Sequence, residues 1–103
     1  MPHERFKELG EQFLRRTRED WVAMQATFVN AQSGDAAALS ELRILAHRIC
    51  GSSAMLDFMR ISEQSGEIES IIRSATVFAA IDWPAIARLL QELDMEINRA
   101  ASL

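Results

Sequence analysis

Phe13-Leu14-Arg15-Arg16-Thr17-Arg18-Glu19-Asp20-Trp21-Val22-Ala23-Met24-Gln25-Ala26-Thr27-Phe28 sets large apolar side chains three and four residues apart, with charge between them. Extended backwards, the series Phe6, Leu9, Phe13, Thr17, Trp21, Met24 and Phe28 follows one side of a long helix. Gly10 is expected to loosen its first turns. Gln32-Ser33-Gly34-Asp35 should end it, with Gly34 in the left-handed stop position and Asp35 capping the next helix. A second helix then runs from Ala36 to about Ala54, with Leu39, Leu42, Leu45, Ala46, Ile49 and Leu56 on its apolar side. Phe58, Ile61, Ser65, Ile68 and Ile72 mark a third, expected to continue through Ala75 to Phe78. Asp82 is a natural N-cap for a fourth, Pro84 falls in its first turn, and Ile86, Leu89, Leu90, Leu93 and Ile97 form its stripe. No period-2 run of β-branched residues and no Asn-Gly or Asp-Gly hairpin turn competes with this reading. Four amphipathic helices with short connections predict an all-α fold, an antiparallel up-down four-helix bundle, occupying residues 1–103 as one domain.

Composition narrows the function classes. The formal charge is −4 and the basic residues are scattered, so no electrostatic footprint for nucleic acid is visible. No stretch approaches the ~20 apolar residues of a membrane helix, and residues 1–10 lack the apolar run of a secretory signal. A lone cysteine, Cys50, excludes an internal disulfide and suits a reducing compartment. A cytoplasmic chain that binds neither nucleic acid nor membrane is expected. Its charged outer faces give no reason for an obligate dimer, so a monomer is the expectation.

Few residues remain for chemistry. There are two histidines, and His3 lies in a terminal segment, so paired imidazole metal ligands are not expected. No strained nucleophile turn or glycine-rich anion loop supports a hydrolytic site. His47 projects about 150° from the centre of its helix's apolar stripe and should face solvent. Ser40, Arg43, Ile44, Cys50 and Ala54 are expected on the same side, a mostly small and partly apolar patch suited to docking. Gly51, one turn after His47, costs a helix about 1 kcal/mol relative to alanine. Either the helix ends early there, or the missing side chain lets a partner come close to the imidazole.

Leu45-Ala46-His47-Arg48-Ile49-Cys50-Gly51-Ser52-Ser53-Ala54 closely resembles the active-site helix of histidine phosphotransfer domains, patterned Ala-His-x-Leu-Lys-Gly-Ser-(Ser/Ala)-Ala. Gly34-Asp35 resembles the turn before that helix, Ile68-Glu69 the Leu-Glu pair closing the next one, and the likeness covers about Phe13 to Leu93. The resemblance implies a phosphocarrier, not an autonomous kinase, in a bacterial two-component phosphorelay. His47 would accept a phosphoryl group from a receiver-domain aspartate or kinase module and pass it to another receiver. Cys50, Gly51 and Arg43 would neighbour the phosphate; Ser40, Ile44, Gly51 and Ala54 would dock the partner. The implied partners are a response-regulator receiver domain and a hybrid sensor histidine kinase, with magnesium on the receiver and no cofactor on this chain.

Two positions depart from the pattern. Cys50 stands where the family has lysine, and Asp57 where it has glycine near the start of the third helix. Aspartate tolerates left-handed geometry. Cysteine supplies no charge to a phosphohistidine, and Arg43 starts out pointing away from His47, which leaves Arg60 or Arg73 of the third helix as possible substitutes. Cys50 reads as either an inert boundary residue or a redox-sensing thiol. An adaptor that binds a receiver or kinase without carrying phosphate stays open as the alternative, as does an unrelated helical bundle.

Overall fold

A computed structural model of the chain describes residues 2–102, with side chains described from Arg5 onward. Helix α1 spans Pro2–Gln32, α2 Ala36–Met55, α3 Met59–Ser74 and α4 Trp83–Ala101, with a 3-10 turn at Phe78–Ala80 before α4. The connections are built by the expected residues. Gly34 has φ +108° and donates to the Ala31 carbonyl, and the Asp35 carboxylate accepts from the amides of Ala37 and Ala38. Asp57, which stands where the resembled pattern has glycine, takes φ +64°, in the left-handed region, and the Phe58 amide closes the turn on the Ser53 carbonyl at 2.8 Å. The Asp82 carboxylate caps α4 through the Ala85 amide at 3.1 Å, with Pro84 in the first turn, where its missing N–H costs little.

Each helix packs on two others, in the closed ring α1–α2–α3–α4. Cross-helix contacts fix the directions. Arg18 meets Asp94, the Trp21 indole donates to the Leu90 carbonyl, and Phe28 packs edge-on against Trp83, so α4 runs antiparallel to α1. Between α2 and α3, His47 meets Glu69 and Cys50 meets Ser62, again antiparallel. The core draws on all four helices. Met24, Leu42, Ile49, Ile61, Ile68 and the α4 stripe from Ile86 to Ile97 are almost completely buried. Phe58 closes one end by stacking on Phe13 with ring centroids 5.0 Å apart, its edge against Gly10.

Two expectations are corrected. α3 does not continue through Ala75 to Phe78: Ala75 and Val77 are extended, and the helix ends at Ser74. Val77 is β-branched and resists the helical turn, and the extended stretch delivers Phe78 onto Trp83 and buries Ile81 over the bundle end. Phe6 and Leu9 continue the α1 stripe but are not core; Phe6 is 69% exposed. At 1.5 Å per residue, the 31 residues of α1 make it roughly 46 Å long, so its first turns overhang the shorter helices. Among the described residues, no helix is long and apolar enough to cross a membrane.

Candidate functional site

His47 lies in the interior of α2, and its side chain is 68% exposed. The rotation of α2 that presents it is held from both sides. On the α1 side, Arg48 grips the largely buried Asp20 carboxylate with two nitrogens, the closer at 2.6 Å. On the α3 side, Nδ1 of His47 sits 2.7 Å from Oε2 of Glu69, a carboxylate only 13% exposed. This is ion-pair distance; the ring N–H is not directed at that oxygen, which has no aligned hydrogen-bond donor. With Nδ1 turned to the carboxylate, Nε2 is the ring nitrogen left for an incoming group.

Helical side chains lean toward the N-terminus, so the imidazole tips over the turn of Ser40 and Arg43, not the turn of Cys50. A recess of about 620 Å³ opens there, lined by Arg43 and His47 from α2 and by Glu69, Ile72 and Arg73 from α3. Arg73 approaches the same Glu69 oxygen to 3.8 Å. The recess therefore gathers two guanidinium groups and one carboxylate beside the imidazole. Arg60 is elsewhere, 4.0 Å from Glu96 of α4, where a hydrogen bond from Arg99 holds the Glu96 carboxyl below its ordinary range against the opposing effect of burial.

The remaining singled-out residues separate into two groups. Ser40, Ile44, Gly51 and Ala54 are exposed, Ile44 by 51%. Nothing lies within 4 Å of where a side chain at Gly51 would begin, and the helix continues past it to Met55, so the glycine is not a helix end. Cys50, expected on the solvent-facing patch, is instead half-buried against α3. Its sulfur lies 3.6 Å from the Ser62 hydroxyl and over Gly66, where an added Cβ would stand 3.2 Å away. It does not line the recess. The His3 side chain lies outside the described residues. Among the described residues, no three His, Cys, Asp or Glu side chains group in a way that could hold a metal ion.

Glu69 and Arg73 are the residues to which sequence reasoning gave no definite role. A signal for them existed. In an antiparallel helical hairpin, residues equidistant from the turn face each other. Counted from Phe58, this rule pairs His47 with Glu69, Cys50 with Gly66 and Arg43 with Arg73.

The model of the Hpt domain family matches residues 8–102, nearly the whole chain. The chain belongs to the Hpt domain family, the histidine-containing phosphotransfer domains of two-component signalling. No curated protein and no solved structure is significantly similar to it.

Proposed function

We propose that this chain is a phosphorelay intermediate in which Nε2 of His47 takes a phosphoryl group from a receiver-domain aspartyl phosphate, or from a hybrid kinase module, and passes it to another receiver. The Nδ1–Glu69 contact carries this reading. Imidazole needs no activating base, because its neutral form is already a nucleophile. As the P–O bond of the aspartyl phosphate breaks, its electron pair leaves with the aspartate carboxylate and the Nε2–P bond forms. The ring, still protonated at Nδ1, becomes cationic, and the Glu69 carboxylate faces that charge. Reversal, with a second aspartate as acceptor, discharges the ring.

Transfer of this kind depends on in-line positioning and charge neutralisation. Magnesium, in this reading, would belong to the docking receiver and would supply neutralisation of the phosphoryl charge there. This chain supplies Arg43 and Arg73, which flank the recess and take the place of the family lysine. Ser40, Ile44 and Ala54 form the contact surface, and Gly51 leaves room for the receiver's active-site rim. The cytoplasm is the compartment in which such receivers work.

The test is incubation with magnesium and a panel of phosphorylated receiver domains beside a His47→Gln control, read as acid-labile label on this chain. Label that requires His47 supports the carrier. Binding of a receiver without label supports the adaptor instead.

A further inference from the structure

The expectation of a monomer rested on the charged outer faces, yet the charges of α1 have an order. Lys7, Glu11, Arg15 and Glu19 follow one another at intervals of four, so they form a single ridge of alternating sign along the helix. All four are exposed, and none makes an ion pair with another described residue. This ridge borders a groove of about 810 Å³ between the first half of α1 and the end of α4. The apolar part of the groove is formed by Gly10, Leu14, Phe58, Ile97 and Ala100, with the exposed Phe6 at its open end. On its wall, Arg18 is held by Asp94 and Asn98 and lies over the Trp21 ring.

We infer that a second copy of this chain covers the groove, its α1 lying antiparallel to the first across a two-fold axis. A ridge reading plus, minus, plus, minus becomes its own complement when reversed. With the axis between Glu11 and Arg15, Glu11 of each copy meets Arg15 of the other, and Lys7 meets Glu19, four ion pairs in all. Parallel packing in register sets like charges together. Such an interface is isologous and closed, so it stops at two copies. The α1–α4 groove lies across the bundle from the α2–α3 face, so both His47 side chains stay accessible, and the inference does not depend on phosphotransfer.

Sedimentation equilibrium of the full chain at low salt, up to about 100 µM, tests it. The wild type is expected to dimerise, and to weaken at least ~10-fold in about 0.5 M salt, where exposed charges are screened within a few ångströms. Glu11→Arg, on an exposed position that leaves the bundle's packing intact, should weaken dimerisation by ~10-fold or more through like-charge contacts. Glu11→Arg combined with Arg15→Glu exchanges the two central charges, so positions 11 and 15 again meet with opposite sign across the axis, and should restore the dimer. A wild type that stays monomeric overturns the inference, as does a single variant that dimerises as the wild type does. A double variant that remains as weak as the single one overturns the antiparallel register. Helical circular dichroism of each variant confirms that the bundle is intact.

Discussion

Gly51 occupies a helix interior with nothing within 4 Å of the direction a side chain would take, so two replacements there separate its structural cost from its use. Alanine removes the backbone entropy penalty of glycine, about 0.5–1 kcal/mol, and meets no neighbour. For a domain of this size each kcal/mol moves Tm by roughly 4–8 °C, so Gly51→Ala is expected to raise Tm by about 2–8 °C. Gly51→Gln keeps most of the helical gain and adds a long side chain that leans back over the turn of His47. Because a misplacement of about 1 Å can cost ~100-fold in a positioned reaction, transfer from a phosphorylated receiver should slow at least ~10-fold in Gly51→Gln. The assays are thermal melts followed at 222 nm and single-turnover transfer with labelled receiver. A Gly51→Ala protein that melts lower, or a Gly51→Gln protein that transfers at the wild-type rate, would refute the reasoning.

Other perturbations probe the surrounding contacts. Glu69→Gln leaves the ring cation without its facing carboxylate; for a pair with one exposed and one largely buried member this is worth about 1 kcal/mol, so single-turnover transfer should slow roughly 5-fold, and a rate within twofold of wild type would count against the role given to Glu69. Cys50→Lys restores a charge one turn after His47, and its long stem can turn outward past Gly66; the lifetime of the phosphorylated protein should lengthen, and an unchanged lifetime would show that Arg43 and Arg73 already suffice. Glu96 has its carboxyl held down in the folded state, so its contribution to stability is present above the ordinary glutamate range and is lost as pH falls through the lowered value. Melts of Glu96→Gln should therefore lie below wild type near neutrality and converge with it in acid; a gap that persists in acid would place the effect in packing instead.

Most of the helical frame was legible because each signal was local. Gly34, Asp35, Asp82 and Pro84 act on the backbone within a few residues, and all behave as their chemistry demands. The α4 stripe reads correctly since a strict three-and-four spacing leaves one face to bury. Phe6 and Leu9 did not, because periodicity reports a face and not whether a neighbour reaches it; the length of the other helices decides that. The end of α3 was missed where tertiary burial of Ile81 and the Phe78–Trp83 contact outweighed a weak helical pattern. At the site, the exposure of His47 followed from angular arithmetic. Cys50 differed because it stands 60° nearer α3, and a face defined relative to one helix does not say where the next helix lies. Glu69 and Arg73 needed the hairpin pairing, which no single-helix pattern contains.

The three-residue connection between α2 and α3 has a further consequence for what this chain tolerates. One residue inserted there and wound into the first turn of α3 would turn the rest of α3 by about 100° and slide it by about 1.5 Å relative to α2, carrying Glu69 and Arg73 away from His47 while each helix kept its own buried face in sequence. The eight-residue connection before α4 carries no such demand. Length variation in descendants of this chain should therefore accumulate before α4 and be excluded at Asp57, making the α2–α3 hairpin the portion inherited as a unit of fixed length.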